Sequence, residues 1–163
     1  MTITKLLNLP PGKKNLLIVG IGNSLKGDDG AGCEIIKNLQ LKIKNDVILS
    51  GAKNLNLLDC GIAPENYTKK IKDFNPETII FIDAVEMKEP PGTVKIIDDK
   101  DISSGYFTTH NMPLNLFVDY IKEETKAKIV FIGIQPKSTR FGECLSAPVQ
   151  KAVEKLASEF SRW

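Results

Sequence analysis

The chain has 163 residues, 42% of them hydrophobic and 26% charged, with 22 Lys and Arg against 20 Asp and Glu for a formal charge of +2. That size fits one folded domain over residues 1–163 with a sizeable core, and the charge balance excludes the strong basic field on which nucleic-acid binding depends. Met1 to Lys14 lacks the basic, apolar and small-residue succession of an export signal, and no segment holds the roughly eighteen apolar residues of a membrane span. Cys33, Cys60 and Cys144 are odd in number and show no C-x-x-C spacing, so neither a disulfide framework nor a structural zinc site is expected. These features together point to a cytoplasmic protein in a reducing compartment.

Taken in chain order, Asn15-Leu-Leu-Ile-Val-Gly-Ile21 is a short apolar run bounded by glycine, as expected of a strand buried on both faces. Ile35, Ile36 and Leu39 then mark the apolar face of a helix starting near Gly30, and Pro64 is placed to begin another that reaches about Phe74. Thr78–Ala84 is a second buried strand. Thr93–Ile97 follows the Pro90-Pro91-Gly92 turn too soon for a helical crossover and is read as an antiparallel neighbour. Leu114, Phe117, Val118 and Ile121 have helical spacing, Lys128–Ile134 is a third buried strand, and Val149, Val153, Leu156 and Phe160 line a last helix. The alternation predicts an α/β fold: a three-layer α/β/α sandwich on a mainly parallel, twisted sheet of about five strands, one of them antiparallel.

In such sheets, ligands bind where loops converge at the carboxyl ends of the strands. Asp28 and Asp29 lie in the loop after the first strand, Asp83 ends the second buried strand, and His110, the only histidine, stands in the polar stretch Thr108–Pro113. Two carboxylates and an imidazole with open positions suit a borderline divalent metal such as zinc, nickel or manganese. Simpler roles compete with that reading. Asp28, and less so Asp29, can cap the following helix, His110 can be solvated, and Asp83 can fix the turn after its strand. Cys33 and Cys144 are read as structural, with Cys60 left undecided.

Other chemistries are excluded or left open by spacing. Gly20-Ile-Gly22 begins like a dinucleotide fingerprint, but the third glycine of G-x-G-x-x-G falls on Leu25 and the required close helix packing is lost. Gly20, Gly22, Gly27 and Gly30 are instead assigned to unusual backbone angles in a loop of fixed shape, and Gly32 to loop shape also. No P-loop, G-x-S-x-G elbow or H-E-x-x-H helix is present. A paired-aspartate peptidase stays open, although adjacent residues such as Asp28 and Asp29 rarely point together.

Several stretches resemble one family, the hydrogenase maturation endopeptidases that process [NiFe]-hydrogenase large subunits. Gly20-Ile-Gly-Asn-Ser-Leu-Lys-Gly-Asp-Asp-Gly-Ala-Gly32 resembles its N-terminal signature, and Ile82-Asp-Ala84 with Pro91-Gly92 its central one. Ala63-Pro-Glu-Asn66, Thr109-His-Asn-Met-Pro-Leu-Asn115 and Gly133-Ile-Gln-Pro136 extend the likeness toward the last helix, and are most similar to the branch serving formate hydrogenlyase and energy-converting hydrogenases. Cys60 stands where the resemblance leads one to expect glycine.

The resemblance implies an aspartyl-type, nickel-dependent endopeptidase, probing a nickel that the precursor already carries. Carried over by motif, its metal-contacting and catalytic residues are Asp29, Asp83 and His110, with aspartate at the first position where some members have glutamate. The implied partner is the [NiFe]-hydrogenase large-subunit precursor and the implied cofactor is that substrate's nickel, with another divalent metal able to occupy the same site. A monomer is expected. Two alternatives remain: a nickel-sensing chaperone that holds the precursor without cutting it, and an autonomous zinc metallopeptidase.

Overall fold

The computed structural model describes residues 15–44, 55–97 and 114–162. In chain order the strands are β1 (Leu16–Ile21), β2 (Leu55–Gly61), β3 (Thr78–Ala84), β4 (Val94–Ile97) and β5 (Lys128–Ile134). The helices are α1 (Ala31–Lys44), α2 (Thr68–Asp73), α3 (Leu114–Thr125) and α4 (Ala147–Phe160), with 3-10 turns at Gly27–Gly30 and Pro64–Tyr67. Sheet order is β2-β1-β3-β5-β4, parallel throughout except for β4, which runs antiparallel to β5.

Strand residues alternate between two cores because successive side chains leave a strand on opposite faces. Leu16, Ile18, Ile80, Ile82, Val130 and Ile132 join Ile35, Ile36 and Leu39 of α1 and Val149, Val153, Leu156 and Phe160 of α4. On the other face, Leu17, Val19, Ile79, Phe81 and Phe131 meet Ile71 of α2 and Phe117, Val118 and Ile121 of α3. Phe81 and Phe117 pack edge to face with ring centres 5.6 Å apart. The predicted three-layer sandwich is therefore formed, with helices covering both faces.

Two readings need correction. The strand β2 has no counterpart in the elements predicted above, because Leu55-Asn-Leu-Leu-Asp-Cys-Gly61 is broken by polar residues. It pairs with β1 alone among the described strands and buries only Leu58 and Cys60 fully. Close packing of the first helix also survives the missing fingerprint glycine. Gly32, inside α1, supplies it: a Cβ there would lie 2.3 Å from the Ile82 carbonyl oxygen and 2.4 Å from that of Ile21. Gly32 is thus a helix residue that lets α1 approach β1 and β3, not a residue that shapes a loop.

Candidate active site at the carboxyl edge of the sheet

The loop from Gly22 to Gly30 leaves β1 at the carboxyl edge and turns through a 3-10 helix into α1. Gly22 takes φ +139°, and its position explains the requirement for glycine. A Cβ there would stand 1.8 Å from the Asp29 carbonyl oxygen and 3.7 Å from Asp83 Oδ1. Asp29 Oδ2 accepts the Asn23 N–H at 3.1 Å, so its carboxylate is turned back toward the start of the loop. Asp83 Oδ1 accepts the N–H of Ala84 at 2.8 Å. The carboxylates of Asp29 and Asp83, from the loop after β1 and the end of β3, are therefore gathered about the Gly22–Asn23 peptide. Both residues are buried, at 8% and 2% exposure.

Asp29 does not cap α1, since its bond runs backward to Asn23. Asp83 does fix the residue that follows it, and faces Gly22 as well. His110 lies outside the described residues. Among those described, no three His, Cys, Asp or Glu side chains stand together as a metal site.

Asp28 departs most from its predicted role. Fully buried, it accepts four hydrogen bonds: Lys137 N–H at 2.7 Å, Ser138 N–H at 3.1 Å, Ser146 N–H at 2.6 Å and Ser146 Oγ–H at 2.8 Å. It thus serves not the helix that follows it but the residue preceding α4, at the far end of the chain. Burial pushes its carboxyl up, yet the bonds from Ser146, Lys137 and Ser138 outweigh this and hold it below the ordinary value. Asp28 and Asp29 point apart, so the two do not form a paired-aspartate site.

Gln135 is a second residue whose role was not read from sequence. Its Oε1 accepts the N–H groups of Met87 at 2.7 Å and Glu89 at 3.2 Å, while Nε2 donates to Glu86 Oε2 and to the Pro136 carbonyl. The stretch that follows Asp83 is thereby latched to the end of β5. Gly133-Ile-Gln-Pro136 carries the family resemblance, but a glutamine immediately after a buried strand is the physical signal that could have found the latch.

Cys33 is buried and donates to the Gly22 carbonyl at 3.4 Å. Burial, with the Asp59 carboxylate close by, pushes its thiol far up. Cys60 is also buried, its thiol pushed up to about 12 by burial and by the charge of Asp59. Cys144 is exposed, against the expectation of a structural role. The glycines divide similarly. Gly22 and Gly27 take positive φ, whereas Gly20 serves close packing, its Cβ position lying 2.3 Å from the Gly32 carbonyl oxygen.

Among the described residues, no helix is long and apolar enough to cross a membrane.

Residues 33–163 match the family model for HycI, described as hydrogenase maturation protease. The chain is 34% identical over 148 residues to the hydrogenase 3 maturation protease of Escherichia coli K12, covering 90% of this chain and 89% of that protein. The crystal structure of the [NiFe] hydrogenase maturation protease HycI from Thermococcus kodakarensis KOD1 superposes with a TM-score of 0.78 at 33% identity, covering 91% of each chain. The solution structure of the endopeptidase HycI from Escherichia coli gives a TM-score of 0.75 at 34% identity, over 88% of this chain and 87% of that one. With the family model spanning most of the chain and the same fold in its solved relatives, the chain belongs to the hydrogenase maturation protease family and is a peptidase.

Proposed function

We propose that this protein is the endopeptidase that removes the C-terminal extension of a nickel-loaded [NiFe]-hydrogenase large-subunit precursor. The observation that carries the reading is the gathering of the Asp29 and Asp83 carboxylates about the Gly22–Asn23 peptide, at the sheet edge where α/β proteins take their ligands. Asp29, Asp83 and His110 contact the precursor's nickel, which is part of the substrate. A metal with an open coordination position separates loaded from empty precursor, because each protein donor binds only when the metal is present. The chain works as a single domain over residues 1–163, as a monomer in the cytoplasm. The matches to HycI-type proteases support a hydrogenase of the formate hydrogenlyase or energy-converting kind as the one served.

The test is mass spectrometry of precursor, nickel-loaded and nickel-free, after incubation with the protein. Loss of a C-terminal peptide from the loaded form alone is expected. Cleavage of both forms would replace this reading with an autonomous metallopeptidase, and binding without cleavage would replace it with a chaperone.

A further inference from the structure

The loop after β1 and the loop between β5 and α4 are fastened into one surface. Besides the bonds to the Asp28 carboxylate, Gly27 N–H donates to the Glu143 carbonyl at 3.1 Å, Asp28 N–H to the Ser138 carbonyl at 2.9 Å and Gly142 N–H to the Leu25 carbonyl at 2.8 Å. This fixed surface carries the two most exposed large hydrophobic residues among those described, Leu25 at 62% and Phe141 at 74%. Their backbones are adjacent through the Leu25–Gly142 bond. Asp29 is part of the same surface, its N–H donating to the Lys26 carbonyl at 3.1 Å.

Apolar side chains held out into water on a backbone braced by hydrogen bonds contribute nothing to the core, and such residues rimmed by charge mark protein contacts. The rim here is cationic. Lys26, Lys137 and Arg140 are exposed; of the nearby acids, Asp28 and Asp29 are buried, and Glu143 is engaged by Ser138 Oγ–H at 2.5 Å and by Arg140 Nε at 3.5 Å.

We propose that Leu25 and Phe141 form the docking surface for the precursor, taking one of its apolar side chains flanked by acidic residues. Apolar contact supplies the anchor, and the Lys26, Lys137 and Arg140 charges select acidic neighbours and speed encounter. The assignment rests on the endopeptidase reading above for the identity of the partner. It adds where that partner is gripped, outside the residues that contact nickel.

The experiment measures binding and cleavage of nickel-loaded precursor separately, by biolayer interferometry and mass spectrometry. The double variant Leu25→Ser, Phe141→Ser should bind at least about tenfold more weakly, with the loss of processing lying in KM rather than kcat and the Tm held. Lys26→Glu with Arg140→Glu should also weaken binding and flatten its salt dependence. Leu41→Ser, an exposed apolar residue at the opposite end of α1, should match wild type. Binding by the Leu25, Phe141 variant within twofold of wild type overturns the docking surface, as does absence of binding by wild type. A wild-type protein that binds but never cuts, and loses binding in the double variant, leaves the docking surface standing and overturns the endopeptidase reading alone.

Discussion

Asp28 and Ser146, separated by 118 positions in the sequence, are joined twice: the serine N–H donates to one carboxylate oxygen at 2.6 Å and its hydroxyl to the other at 2.8 Å. Asp28→Asn keeps the shape but turns an amide NH2 toward partners that are all donors. Stability at neutral pH should fall by about 1–3 kcal/mol, since part-buried donors are left facing a donor. The folded carboxyl lies below its unfolded value, so this stabilisation is complete above about pH 4 and is lost as pH falls through the lower folded value. The stability gap between the two proteins should therefore shrink as pH falls below about 4, and a gap that widens with acidification would contradict the account.

Asp29→Asn and Asp83→Asn retain an oxygen for the N–H groups of Asn23 and Ala84 while removing the charge that the proposed site offers to nickel. Both variants, and His110→Ala, should abolish processing of loaded precursor with Tm shifted by only a few degrees. Normal processing in all three would remove these residues from the site.

Gly22→Ala should be more damaging than Gly61→Ala, although both glycines have positive φ. At Gly61 nothing lies within 4 Å of a Cβ, so only the backbone cost of about 1 kcal/mol applies. At Gly22 the methyl group strikes the Asp29 carbonyl and shifts the loop, which should lower processing on the order of 10²-fold. Equal processing rates in the two variants would show that the Gly22 contact does not set the position of Asp29.

Gln135→Leu leaves the Met87 and Glu89 amides without their acceptor, costing about 1–3 kcal/mol. Hydrogen exchange at those two amides should accelerate while the amides of β1 stay protected. Unchanged exchange would mean that the loop holds its form without the latch.

Thiol labelling of the native protein at neutral pH should modify Cys144 alone, because Cys33 and Cys60 are buried with raised thiols. Denaturant should release both. Rapid native labelling of Cys60 would contradict its burial.

The apolar runs of β1, β3 and β5 were legible because a strand covered on both faces needs little else, and α3 and α4 because their buried residues keep helical spacing. Strand β2 was not, since Asn56 and Asp59 interrupt its apolar residues at the border of the sheet. Asp29 and Asp83 were legible as neighbours from their places at strand ends, while His110 falls outside the described residues. The role of Asp28 was hidden because capping is a local inference and its partners lie more than a hundred positions away. Gln135 was hidden for the same reason: nothing local to a glutamine announces that it accepts from a loop 46 to 48 residues earlier.

The dependence of the Asp29 loop on Ser146 also sets an order of events during synthesis. A ribosome-bound chain can pair β1 with β2 and β3 once their residues emerge, but the carboxylate of Asp28 finds its serine only when the start of α4 has been made. Helix α4 then contributes Val149, Val153, Leu156 and Phe160 to the core shared with α1. Contacts of such long sequence separation form late. The loop that carries Asp28 and Asp29 is thus braced only once the residues leading into α4 have been made.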